Sequence, residues 1–150
     1  MKLFLLRHGD AESTSPDSSR QLSALGTQQI SQTARKHRLN CRDVQLVLSS
    51  PLHRAVQSAD LFIEQAMLNC PRQKVDFLRP ETAVNSVEQF LQTTDYSSLL
   101  MVAHFPILPR LIDYLTGDTH ARMETSSLAS LSMEYPLRGL ATVDWIHYAD

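Results

Sequence analysis

Three short apolar runs in this chain each stop at residues able to do chemistry. Leu3-Phe4-Leu5-Leu6 ends at Arg7-His8-Gly9-Asp10. Val44 to Leu48 ends at Ser49-Ser50, with Arg54 a few residues further on. Leu99-Leu100-Met101-Val102-Ala103 ends at His104. Continuous apolar runs of this length read as strands buried on both faces. In parallel α/β sheets, ligands gather beyond the carboxyl ends of the strands, where helix N-termini also point. If the three strands run parallel, Arg7, His8, Arg54 and His104 converge on one pocket. Two guanidiniums keep their charge and present rigid forks of donors, which suits a phosphoryl group. A neutral imidazole can attack phosphorus, and a second one beside it can hydrogen-bond the transferring group. Phosphoryl transfer needs mainly positioning and charge stabilisation, so this set suffices without a metal or another cofactor.

The elements that must position these residues can be followed along the chain. Residues 10–21 are polar and turn-forming, and read as a loop. Ser23 is placed to N-cap a helix running to about Arg38, with a thin apolar stripe of Leu25, Ile30 and Ala34. Ser49-Ser50-Pro51 predicts a helix start with proline at the first helical position. Leu52, Ala55, Val56, Ala59, Phe62, Ile63 and Ala66 then recur at helical spacing. Lys74 to Leu78 reads as a third strand and residues 85–92 as a short helix. Pro106 opens a helix carrying Ile107, Leu108, Leu111, Ile112 and Leu115, and Gly117 is a natural stop for it. Two late strands are expected near 127–133 and 140–146, the second alternating Leu140, Thr142, Asp144 and Ile146 against Ala141, Val143 and Trp145. Strands alternating with helices imply an α/β fold, a three-layer sandwich with a mostly parallel central sheet and helices on both faces. No repeat or linker interrupts the chain, so residues 1–150 are expected to form one domain.

Composition narrows the function classes. Of 150 residues, 43% are apolar and 20% charged, with a formal net charge of −2, an ordinary soluble balance. A chain of this length can bury a core without disulfide or metal staples. No basic run interleaved with aromatics points to nucleic acid. The first apolar run is too short for a signal peptide, and no stretch reaches membrane-spanning length. Cys41 and Cys70 fit no metal or redox spacing and are expected as free thiols. A cytoplasmic monomer is the expectation.

Four segments carry a resemblance. Arg7-His8-Gly9 directly after a buried strand resembles the signature of the histidine phosphatase superfamily, which includes phosphoglycerate mutases and acid phosphatases. Leu22-Ser23-Ala24-Leu25-Gly26-Thr27-Gln28-Gln29 resembles its L-[ST]-x-x-G-x-x-Q helix opening. The segment from Ser49 to Ala59 is similar to its S-S-x-x-x-R-A-x-Q-T-A motif, and Val102-Ala103-His104-Phe105-Pro106 to its second-histidine motif. The four lie in the superfamily's order between Leu3 and Pro106. Arg7-His8-Gly9-Asp10-Ala11, Arg20-Gln21-Leu22, the His-x-Pro form at His104 and the small size bring the likeness nearest to SixA-type bacterial phosphohistidine phosphatases.

The resemblance implies a phosphoglycerate mutase-like fold and a phosphatase in which His8 is transiently phosphorylated. Arg7 and Arg54 would hold the phosphoryl oxygens and His104 would stabilise the transferring group. Arg20 resembles a further phosphate-facing arginine, beside the plainer reading that it ties down the 10–21 loop. Glu81 lies near the place of the superfamily's general acid, in surroundings that match poorly. The short connection between Arg54 and His104 implies an open, shallow site, suited to a phosphorylated side chain on a protein partner. Two other functions stay open: hydrolysis of small phosphomonoesters, and phosphoprotein binding without turnover. Asp10 and Glu12 read as a loop anchor and a surface charge rather than metal ligands. His37, His53, His120 and His147 lack ligand spacing and read as structural or solvent-exposed. Asp118 to Ser126 is a candidate pocket rim that composition leaves undecided.

Overall fold

The computed structural model describes residues 1–119 and 121–149, so the expectation for His120 lies outside the described residues. Among these residues six strands form one sheet: β1 (Lys2–Arg7), β2 (Leu46–Ser49), β3 (Arg72–Lys74), β4 (Ser98–Ala103), β5 (Leu128–Ser132) and β6 (Thr142–His147). Their order is β3-β2-β4-β1-β5-β6. The three strands that carry the chemistry are neighbours and parallel, β2 beside β4 and β4 beside β1. Strand β3 is also parallel to β2, and β5 runs antiparallel between β1 and β6.

Successive side chains of a strand point to opposite faces, and the apolar runs divide accordingly. Leu3, Leu5, Leu99 and Met101 join one core with α3 (Val84–Thr93) and α4 (Ile107–Thr116). Phe4, Leu6, Leu100 and Val102 join another with α1 (Ala24–Lys36) and α2 (His53–Ala66). Helices thus cover both faces of the sheet, which is why its central strands are apolar through their middles. The result is the expected three-layer α/β sandwich around a mostly parallel sheet.

Several boundaries differ from expectation for identifiable reasons. Helix α2 starts at His53 with Leu52 as its N-cap, so Pro51 stands outside it. The 74–78 segment is not a strand: β3 ends at Lys74, and Asp76–Leu78 form a 3₁₀ turn that buries Leu78. Leu25 is 52% exposed, and α1 buries Gly26, Ile30, Thr33 and Ala34 instead. In β6 the strict alternation fails, because Leu131 pairs with Val143 while Ser130 pairs with Trp145. Asp144 is the extra residue of this bulge, and Val143 and Ile146 consequently pack on one core while Trp145 packs on the other.

Two glycines occupy places that other residues could not. Gly117 ends α4 at φ +77°, the left-handed conformation that stops a helix. Gly26 lets the first turn of α1 lie directly on the backbone after His8: a Cβ built on it would collide with the Asp10 carbonyl oxygen. Both sides of that contact are backbone, so neither can yield without moving the turn. Gly26→Ala should destabilise the protein by about 3 kcal/mol, as overpacking does. It should also lower turnover, through displacement of the His8–Asp10 turn. A thermal melt within a degree of wild type would refute the contact.

Candidate active site

Strand register brings the two histidines together. Arg7 pairs with Ala103 as the last step of the β1–β4 ladder, so His8 and His104 leave adjacent strands at the same level. Their rings lie 5.0 Å apart between centroids. The His8 backbone N–H donates to the Ala103 carbonyl at 3.0 Å, and the Ser50 N–H to the Val102 carbonyl at 3.0 Å, extending the ladder past the strand ends. Arg54 enters from the second residue of α2 and sends its Nε to His8 Nε2 at 3.3 Å.

The nucleophile candidate has a defined tautomer. His8 Nδ1 lies 2.7 Å from the Gly9 carbonyl oxygen, which can only accept, so Nδ1 carries the proton and Nε2 presents its lone pair. Ser58 holds the turn from below: its hydroxyl accepts from Gly9 N–H at 3.0 Å and donates to the Arg54 carbonyl at 2.8 Å. From above, the capping hydroxyl of Ser23 accepts from Gly26 N–H and donates to the Asp10 carboxylate at 2.6 Å. Asp10 is therefore the loop anchor expected of it, and Glu12 is exposed. His104 Nε2 meets the Ser50 hydroxyl at 2.7 Å.

Electrostatics keep both rings neutral. Burial is the main cause at His8, pushing its pKa to about 4. The Gly9 hydrogen bond opposes this, while Arg54, Arg7 and Arg20 add to it. At His104 burial again leads, followed by His8, Arg54, Arg7 and Arg79, and the pKa falls to about 2. An unfolded imidazole takes up its proton near 6.5. Below that pH the unfolded chain binds more protons than the folded one, so stability falls as the pH drops from about 6.5 towards 4. The expected loss is a few kcal/mol, because each tenfold difference in proton affinity is worth roughly 1.4 kcal/mol. Melting curves from pH 7.5 to 4.5 should show it, and a flat profile would mean that the rings are not held neutral.

The remaining candidates divide. Arg7 donates from Nη1 to the Met123 carbonyl at 2.8 Å, and its guanidinium lies 5.7 Å from the ring centre of Phe105. Within the candidate rim, Met123 and the nearby charge of Glu124 therefore border the site. Arg20 braces the loop, donating to the carbonyls of Glu12 and Ala11 and to the Asp17 carboxylate. Glu81 is exposed on the turn after Leu78, and none of the described hydrogen bonds joins it to the two histidines or to Arg7 and Arg54. His53 is exposed, whereas His37 and His147 cluster with Trp145, the His37 ring stacked on the indole at 4.5 Å. Cys41 and Cys70 are free.

The floor of the site is nearly covered: His8, Arg54 and His104 are 7%, 5% and 1% exposed. The expected open site is thus narrower than the short Arg54–His104 connection implies, because the 10–21 loop folds back over Arg54 through Asp17. A concavity of about 580 Å³, lined by Met1, Lys2 and Ser97 among others, lies at the opposite end of β1 and β4. Sequence reasoning passed over Asp17, Arg79 and Ser58, and named Ser50 only within the Ser49-Ser50 strand end and Met123 only within the candidate rim. Ser58 did leave a signal, as a polar residue four positions after Arg54 on the buried stripe of α2.

Residues 3–79 match the model of the histidine phosphatase superfamily, branch 1. The chain belongs to that superfamily. As a histidine phosphatase superfamily member it is similar over nearly its whole length to a solved protein histidine phosphatase SixA complexed with tungstate: 29% identity, TM-score 0.88, covering 97% of this chain and 96% of that one. It is also similar to a candidate phosphohistidine phosphatase SixA from Agrobacterium tumefaciens, at 20% identity and TM-score 0.84, over 98% and 97% of the two chains. A phosphoserine phosphatase from Entamoeba histolytica in complex with 3-phosphoglyceric acid shares the fold at 12% identity and TM-score 0.72, over 98% and 96%. No curated protein sequence matches the chain. Phosphatase activity, a hydrolase reaction, is what membership and these neighbours support. Among the described residues no helix is long and apolar enough to cross a membrane, and no three of His, Cys, Asp and Glu are grouped as a metal site would need.

Proposed function

We propose that this protein is a metal-independent phosphatase acting on phosphohistidine in a partner protein. The observation that carries the reading is the neutral His8 ring, its Nε2 lone pair beside the Arg54 guanidinium and its Nδ1 proton fixed on Gly9. His8 Nε2 attacks phosphorus while the bond from phosphorus to the substrate imidazole breaks. The departing imidazole takes a proton from solvent. Water then attacks the phosphorylated His8, releasing inorganic phosphate and restoring the free ring. Arg7 and Arg54 hold the phosphoryl oxygens through both steps, and His104, neutral and oriented by Ser50, donates to the group in flight. The guanidiniums and imidazoles supply the charge stabilisation that a cation would otherwise provide.

The leaving group and the likeness support this substrate class. An ester leaves as an alkoxide and needs a placed acid, and Glu81 is exposed, with none of the described hydrogen bonds joining it to the histidines. An imidazole leaves readily once protonated. The 29% identity to a protein histidine phosphatase over nearly the whole chain agrees with that choice. The test gives the purified protein a histidine-phosphorylated carrier protein and, separately, p-nitrophenyl phosphate, both with EDTA present. Faster release from the carrier supports the proposal. Preference for the ester assigns a small phosphomonoester, loss of activity on chelation brings in a metal, and silence on both leaves a phosphoprotein-binding module.

A further inference from the structure

We propose that Asp17 is the positioning residue for Arg54, fixing which edge of that guanidinium faces the phosphoryl group; the inference rests on the phosphoryl-transfer reading above. Asp17 opens the 3₁₀ turn Asp17–Ser19 within a loop whose two ends are tied together. Glu12 N–H donates to the Gln21 carbonyl, and Ala11 bridges Leu22. Leu22 N–H in turn donates to the Gln57 side chain of α2 at 2.8 Å. The loop is thereby held against the start of α2, and Asp17 meets Arg54 twice. Its carbonyl oxygen accepts from Arg54 Nη1 at 3.0 Å and its Oδ2 from Nη2 at 3.4 Å.

A guanidinium has two usable edges, the terminal pair of nitrogens and the side that carries Nε. Asp17 occupies the terminal pair. The Nε side is left facing His8 Nε2, where the phosphoryl group would be transferred. The other carboxylate oxygen of Asp17 accepts from Arg20 Nη1 at 3.3 Å, so one carboxylate orients two arginines at once. Arg54 needs such a partner: it is 5% exposed, sits in the first turn of a helix where the dipole opposes a cation, and has Arg20 nearby. Burial alone would raise the Asp17 carboxyl, yet Arg54 and Arg20 together hold it below its ordinary value, consistent with a charge engaged by both. Asp17 is 65% exposed at its side chain, which places it at the rim rather than in the core.

The test is a double-mutant cycle of Asp17→Ala and Arg54→Ala, read as kcat on whichever substrate the wild type hydrolyses and as affinity for inorganic phosphate by calorimetry. Asp17→Ala should lower kcat about tenfold to a hundredfold, the scale of a misplaced catalytic group. In the Arg54→Ala background it should add almost nothing, because the group it positions is gone. Asp17→Asn should recover part of the loss, since the amide oxygen can still accept from Nη2 but no longer balances the charge of Arg54. An unchanged kcat in Asp17→Ala overturns the inference, and so does a penalty that persists undiminished without Arg54. Should Asp17→Ala fail to fold, Asp17→Ser enters the same cycle. A wild type inactive on both substrates, or an Arg54→Ala variant as active as wild type, would instead remove the reading of the site itself.

Discussion

Replacing His8 by alanine should abolish phosphatase turnover, with a fall of at least about three orders of magnitude. The variant loses the atom that bonds to phosphorus, and no neighbour can substitute. His104 is 1% exposed with its Nε2 held by Ser50, and Arg54 carries no lone pair to offer. The loss should appear in kcat, with the cationic pocket still able to bind phosphate. The fold should survive, because the ring's bond to the Gly9 carbonyl is local, and Arg54, which loses its bond to His8 Nε2, keeps its contacts to Asp17. Rapid-quench labelling provides a second readout. Wild type should trap an acid-labile, alkali-stable phosphoenzyme, as expected of a phosphorus–nitrogen bond, and the variant should trap none. Residual turnover above a hundredth of wild type would exclude His8 as the nucleophile.

Arg54→Ala should cost about a hundredfold to a thousandfold in kcat/KM, the range seen when one donor to developing charge is removed. Arg54→Lys should recover little of it. An ammonium offers one point of charge, whereas the guanidinium must reach Asp17 with one edge and the phosphoryl group with the other. Lysine can satisfy one of these, not both. The same substitution at Arg20 should be milder, because three of its nitrogens already serve the loop. Steady-state kinetics on the preferred substrate would decide it, and full activity in Arg54→Lys would mean that the planar fork is dispensable.

The sheet and the meeting of the candidate residues were legible in the sequence because they rest on short-range signals. Buried strands announce themselves as unbroken apolar runs, and a histidine or arginine directly after such a run is conspicuous. What could not be read depends on distant segments meeting. The bulge at Asp144 comes from pairing with β5, so a strict alternation was the natural expectation from the strand alone. The turn at Asp76–Leu78 took the place of a strand because burial of Leu78 won over continued pairing with β2. Asp17 was one acid in a polar loop, with nothing local to mark it as the partner of a residue in α2. Pro51 carried a true signal, a helix start nearby, but one that is accurate only to a residue or two.

The β1–β4 ladder has one more consequence, for how this chain can change over evolution. Arg7↔Ala103 is its final rung, and the two histidines are simply the next residues out. Side chains alternate with every residue, so one insertion or deletion inside β4 would swing His104 to the other face of the sheet. Strand length in these two segments is therefore a discrete variable under selection. The loops can lengthen and the surface can drift, but a change of one residue along β1 or β4 would separate the two histidines of the candidate site.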